Sequence, residues 1–177
     1  MNWIFACLLS LTLVPAQYNW PGFRGSGDSH SDARNLPLEW SDSKNLAWTA
    51  NLPGYGQSSP VVWRDKVFVT SVAGENKERL FITSLELKSG RLLWTREYAS
   101  SFSMKDSNTV SKAAPTPAVD RQRLFVFFES GDLFAFDHRG KLVWPRELAR
   151  EYGDFTTRII EFHNPRPLAT TEQATRK

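Results

Sequence analysis

Three histidines, one cysteine and a scatter of carboxylates are the side chains of this 177-residue chain that could carry chemistry. His30, His138 and His163 stand far apart, and none falls in the H-x-x-x-H spacing that sets two imidazoles on one helix face to hold a metal. Asp106, Asp120, Asp132, Asp137 and Asp154 are spread over short polar stretches, where a short carboxylate takes up the free backbone N–H groups of a turn. They read as solvated turn residues rather than as calcium ligands or general bases. The loop from Gly25 to Asp32 (GSGDSHSD) is the one stretch with a cation-binding look. It lacks the twelve-residue spacing and the terminal Glu of a calcium loop. Neither a phosphate-cradling glycine loop nor a G-x-S-x-G nucleophile elbow is present. No catalytic, cofactor-binding or metal-binding residue is therefore assigned from the residues alone.

Cys7 lies inside an apolar run, Trp3 to Val14 (WIFACLLSLTLV), which is too short for the roughly 20 apolar residues that span a bilayer. Val14-Pro15-Ala16 follows, with small residues where a signal peptidase reads and a proline that stops any helix. Residues 1–16 read as a secretory signal peptide cleaved after Ala16, so the expected location is periplasmic or extracellular. Ile4-Phe5-Ala6 leaves no apolar stretch upstream of Cys7, which argues against lipid modification there. Once the signal is removed no cysteine is left, and disulfides, thiol catalysis and cysteine-based zinc sites drop out together.

With 41% hydrophobic and 23% charged residues the chain is globular rather than disordered in composition. The formal charge of +3 would suit an anionic partner, but Arg158, Arg166, Arg176 and Lys177 against Glu161 and Glu172 place +2 of it in the last 22 residues. What is left is nearly neutral, without the basic stripe that a phosphate backbone needs, so nucleic acid is not an expected partner.

The elements that position these residues come from an internal repeat. Ser59 to Val69 (SPVVWRDKVFV) aligns without a gap on Thr116 to Val126 (TPAVDRQRLFV), and Ser89 to Trp94 (SGRLLW) on Arg139 to Trp144 (RGKLVW). Asn45-Leu46-Ala47-Trp48 is a partial third copy. Each unit reads as four short strands: a proline-led first strand, a polar turn at Asp65-Lys66 or Arg121-Gln122, an apolar second and third strand, and a glycine turn before a fourth strand that carries Trp. Gly90 and Gly140 fit turns that need positive φ. Arg146 to Tyr152 suits one or two helical turns. Tandem four-stranded units with an aromatic at a fixed place predict β-propeller blades. A sandwich or a barrel is the other all-β arrangement, and neither asks for the same G-x-x-x-W ending twice.

Leu133 to Trp144 (LFAFDHRGKLVW) resembles the repeat of the PQQ-like β-propeller family, A-x-D-x-x-x-G-K-x-x-W, with two residues in place of three between Asp137 and Gly140. Leu85 to Trp94 (LELKSGRLLW) is similar to it, with Glu86 where Asp is usual. Trp20-Pro21-Gly22-Phe23-Arg24-Gly25 resembles the W-P-x-F-R-G opening of secreted bacterial members, and Leu38-Glu39-Trp40-Ser41 with Asn45-Leu46-Ala47-Trp48 has close counterparts there. The resemblance implies that Trp48, Trp94 and Trp144 pack between neighbouring blades, and that Asp137 and Glu86 fix the turn before the last strand, Asp137 through an Asx-type bond. Trp48, Trp94, Trp144, Gly90, Gly140 and Asp137 are thus the candidate blade-docking residues. It also implies a ring of seven or eight blades, which at about 40 to 45 residues each needs roughly 300 residues or more. The sequence supplies about two blades and one outer strand within residues 17–155, followed by a polar tail, 156–177, that lacks the repeat and is expected to be disordered. An incomplete propeller, truncated or taken from a longer protein, is the expectation.

Three function classes stay open at this point. The first is a non-enzymatic exported scaffold whose loops or faces bind protein partners. The second is the amino-terminal part of a PQQ-dependent quinoprotein oxidoreductase. Active members of that class need a quinone pocket on the ring axis, calcium, a base carboxylate and often a vicinal cysteine pair, and no Cys-Cys occurs here. The third is a fragment without function that associates with copies of itself through unpaired blade edges. The residues favour the first, with no cofactor; PQQ and calcium belong only to the second.

Overall fold

A computed structural model describes residues 19–31, 33–102 and 112–153. The signal segment with Cys7, the tail 156–177, and Asp32, Asp106, Asp154 and His163 lie outside the described residues.

The described chain forms eight strands and one short helix. The first four strands are β1 (Val61–Trp63), β2 (Lys66–Ala73), β3 (Arg79–Glu86) and β4 (Leu92–Ala99). They are followed by β5 (Ala118–Val119), β6 (Leu124–Phe127), β7 (Asp132–Phe136), β8 (Leu142–Glu147) and α1 (Leu148–Tyr152). They make two four-stranded sheets ordered β1-β2-β3-β4 and β5-β6-β7-β8, each strand antiparallel to the next. These are two propeller blades of an incomplete ring. The first turn falls at Arg64-Asp65, one residue earlier than expected, because Lys66 already pairs with Trp63.

Tight turns follow from side chains as well as backbone. Asp120 Oδ1 accepts from the amides of Gln122 and Arg123, both at 2.7 Å, which closes the β5–β6 hairpin. Val61, Phe68, Val72, Leu80 and Ile82 of the first blade and Val119, Leu124, Val126, Phe134 and Phe136 of the second belong to one buried cluster. The middle strands carry near-continuous apolar runs because both their faces are covered; in β3, Leu80 to Leu85 are all buried.

The two backbones approach most closely where β1 meets β5 and diverge outward. Aromatic rings fill the wedge. Tyr98 of β4 stacks on Phe134 of β7 with ring centroids 4.7 Å apart, and Trp94 lies between Phe68 of its own blade and Phe136 of the next, at 5.9 and 6.3 Å. The stretch around Trp48 was expected to be an outer strand. Residues 45–50 adopt no strand, since among the described residues there is no third strand of a preceding blade for them to pair with.

Candidate functional site

Trp94 lies across from Ser84 in the register of β3 and β4, and the ladder slips by one residue between Ser84 and Leu85. Trp144 faces Ala135 in the same way, with the slip between Ala135 and Phe136. A small residue opposite and a bulge beside it let the indole leave the sheet plane, since a bulge bends and twists its strand. The Trp94 ring covers the Gly140 turn, where φ is +78°; a Cβ there would stand 2.7 Å from Trp94 Cδ2. The indole Nε1–H donates to the carbonyl of His138 at 3.2 Å. Arg96 adds a second bond across the joint, its Nε donating to the Gly140 carbonyl at 2.7 Å while its guanidinium lies 5.5 Å from the Trp94 ring centre.

The same arrangement occurs once more upstream. Trp48 covers the Gly90 turn, where φ is +70° and a Cβ would come closer still, and its Nε1–H donates to the carbonyl of Leu87 at 2.9 Å. Each glycine is thus required twice, for its positive φ and for the flat ring laid on it. Trp144 closes no such pair among the described residues. It contacts Phe125 of its own blade at 6.2 Å and stays 38% exposed.

The turns under these rings are built differently in the two blades. Asp137 Oδ1 accepts from the amides of Arg139 and Lys141, both at 2.9 Å. Glu86, one methylene longer, reaches side chains instead: it accepts from the Ser89 hydroxyl and from Arg91 Nη2 at 3.1 Å. The Ser89 hydroxyl first, and Arg91 second, hold the Glu86 carboxyl below the ordinary glutamate range. The two turns also differ by one residue in length: the Gly90 amide donates to Glu86 O, four residues back, at 2.8 Å, and the Gly140 amide to Asp137 O, three residues back, at 3.0 Å.

One acidic residue departs from the solvated-turn reading. Asp132 is only 2% exposed; it accepts from the Ser130 hydroxyl at 2.7 Å and from the Ser101 amide at 3.1 Å. It ties the segment leaving β4 to the start of β7, a partnership across 31 residues that a local S-G-D pattern does not disclose. His138 donates through Nε2 to the Asp120 carbonyl at 3.0 Å and packs near Trp63 and Phe68, at 6.2 and 6.0 Å. It is a packing residue of the joint. His30 lies on the exposed loop, its amide bonded to Asp28. Among the described residues no group of three or more His, Cys, Asp or Glu could hold a metal ion, and no helix is long and apolar enough to cross a membrane.

The edge where the blades converge is where a quinone on the ring axis would have to be held. It is formed by Val61, Val62, Trp63, Ala118 and Val119, with Trp20 and Pro21 bonded onto it. A quinone bearing several carboxylates needs cationic or N–H donors aimed at it. These side chains are apolar apart from the two indoles of Trp20 and Trp63, and the amides of Val62 and Val119 are bonded to the chain itself. These residues do not fit the group.

Apolar side chains stand exposed on the strandless segment ahead of the first blade: Leu36, Leu38 and Trp40, the last two 94% and 66% exposed.

Two antiparallel four-stranded sheets joined through a tryptophan laid on the next glycine turn define a β-propeller protein of the PQQ-like repeat class. More narrowly, the chain belongs to the family described as outer membrane protein assembly factor BamB, whose model matches residues 33–160. No curated protein matches it. Among solved structures it is similar to BamB from Moraxella catarrhalis, at 22% identity and a TM-score of 0.38, over 57% of this chain and 26% of that one. It is also similar to a europium-containing methanol dehydrogenase, at 21% identity and a TM-score of 0.33, over 49% of this chain and 14% of that one. The chain therefore spans about a quarter or less of the length of either.

Proposed function

We propose that this chain is part of an exported propeller that binds other polypeptides in outer-membrane protein assembly, and that it performs no quinone-dependent oxidation. The observation that carries the reading is how the motif side chains are employed. Trp48, Trp94, Gly90, Gly140 and Asp137 make turns and blade joints, so the repeat acts as a frame and leaves its surface for recognition. Trp144 is the equivalent side chain for a further blade. The family's description as an assembly factor supports a protein-binding role. The exposed row Leu36, Leu38 and Trp40 is the surface offered to a partner, since a concentration of large exposed apolar side chains marks interaction sites.

The test sets the two functional classes against each other. The chain is given PQQ and calcium, and tryptophan fluorescence and dye reduction are followed; no saturable quenching and no turnover are expected. In parallel, a fluorescently labelled unfolded outer-membrane β-barrel protein is titrated with the chain. Saturable binding that is lost in a Leu36→Ser, Leu38→Ser, Trp40→Ser variant supports the scaffold reading. Quinone-dependent turnover would overturn it. Export is tested separately by mass spectrometry of the periplasmic product, which should begin at Gln17.

A further inference from the structure

We infer that residues 19–21 are a strap that joins the inner edges of both blades and sets the wedge between them. In an antiparallel pair the backbone groups alternate toward and away from the partner strand. In β1, Val61 and Trp63 pair with Phe68 and Lys66 of β2, and Val62 between them turns its N–H and C=O to the free edge. Trp20 takes both groups, its amide donating to Val62 O and its carbonyl accepting from Val62 N, each at 2.8 Å. One residue on, the Pro21 carbonyl accepts from Val119 N of β5, also at 2.8 Å. Consecutive residues of one segment are thereby bonded to two different sheets. Asn19 extends the attachment, its Oδ1 accepting from the Arg64 amide at 2.9 Å in the β1–β2 turn.

The strands so joined are the shortest in each sheet, three residues in β1 and two in β5. Strands of that length gain little from their own ladders, and a third segment bonded to both restrains them more than either hairpin can. The strap is itself fixed by packing. The Trp20 ring lies on Gly25, where φ is +69° and a Cβ would stand 2.8 Å from the ring. Gly25 is placed by a turn in which its amide donates to Gly22 O at 3.1 Å, and Arg24 Nε donates to the Ser29 hydroxyl at 2.5 Å. The W-P-G-F-R-G run is therefore one device: Trp20 and Pro21 bond the blades, and the turn from Gly22 to Gly25 supports the Trp20 ring. A consequence is that the inward-facing amides of Val62 and Val119 are satisfied by the chain itself and are closed to any ligand on the ring axis.

Amide hydrogen exchange on the full chain tests this at single residues. In the unaltered protein the amides of Val62 and Val119 should be protected although both lie on free sheet edges. Gly25→Val, which strikes the Trp20 ring, and Asn19→Ala, which releases the turn contact, should each speed exchange at Val62 and Val119. The expected gain is tenfold or more for Gly25→Val and smaller for Asn19→Ala, with Ile82 and Ala135 in the sheet centres unchanged. Unprotected Val62 and Val119 in the unaltered chain would overturn the inference. So would variants that leave the two amides untouched, or that speed Ile82 and Ala135 equally, since the segment would then not be a local strap.

Discussion

At the scale of the residue, Gly140 is the position where the least change should cost the most. Its φ of +78° disfavours any side chain, and a methyl group would meet the Trp94 ring at 2.7 Å. Gly140→Ala should therefore lose about 1–3 kcal/mol in urea unfolding, combining a strained backbone with an overpacked joint. Trp94→Ala, at the same joint, should cost about 3 kcal/mol or more. Trp144→Ala should cost distinctly less, because that ring is 38% exposed and covers no glycine turn among the described residues. Equal losses for Trp94→Ala and Trp144→Ala would show that the joint adds nothing beyond packing within one blade. Asp120 gives a prediction in pH. The Gln122 amide first, with the Arg123 amide assisting, holds its carboxyl below the ordinary aspartate range. A lowered folded pKa means that stability is present above the ordinary aspartate value and lost as pH falls through the lower, folded one. Asp120→Ala should thus be less stable than the unaltered chain at neutral pH, and the two thermal unfolding curves should converge in strong acid.

At the scale of the element, the two glycine turns, the first a residue longer than the second, are held by different side-chain chemistry, and salt should separate them. Asp137 binds two backbone amides, whereas Glu86 depends on the Ser89 hydroxyl and the exposed Arg91 guanidinium. Exposed ion pairs weaken as salt screens them, and short hydrogen bonds to backbone amides do so much less. Asp137→Ala should cost about 1–2 kcal/mol at low and at high salt alike. Glu86→Ala should have a smaller effect that fades with added salt, measured as the shift in unfolding midpoint for each variant. This element level is also where the sequence was most legible. The paired runs SPVVWRDKVFV and TPAVDRQRLFV, and the two G-x-x-x-W endings, are local patterns, and the strands and turns they form emerge in these runs, the first turn one residue early. Contacts between distant segments were not legible. Trp94 could be read as a motif residue, but its neighbour Gly140 lies 46 positions on, and nothing in either copy names the other. Asp132 looks like any polar turn until Ser101 is folded onto it. The stretch around Trp48 has the composition of a strand, yet strand formation needs a partner that composition cannot supply. Trp20 and Pro21 carried a family resemblance without a visible role, since the edge they bond exists only once both sheets are in place.

At the scale of the whole molecule, the question is whether the two blades behave as one body. Their buried side chains form a single cluster, and its Phe134 and Phe136, with the partly buried Tyr98 and Trp94 packed against them, fill the widening side of the wedge. A blade that stood alone would expose those rings, so neither sheet has a complete core without the other. Unfolding should accordingly be one transition for both blades, since subunits of a repeat array share stability through their interface. The pair Tyr98 and Phe134, with ring centroids 4.7 Å apart and one ring on each blade, measures that coupling directly. In a double-mutant cycle of Tyr98→Leu and Phe134→Leu the coupling energy should be about 0.5–1.5 kcal/mol. Probes placed in each blade, for example the exchange of Ile82 in the first and Ala135 in the second, should report the same unfolding midpoint in the unaltered chain. In the double variant combined with Gly140→Ala, which attacks the joint without touching either sheet's ladder, the two midpoints should separate, the second blade losing its protection first. Its sheet has the shorter strands, and its outward tryptophan is only partly covered, so it has less to hold it once the shared wedge is opened.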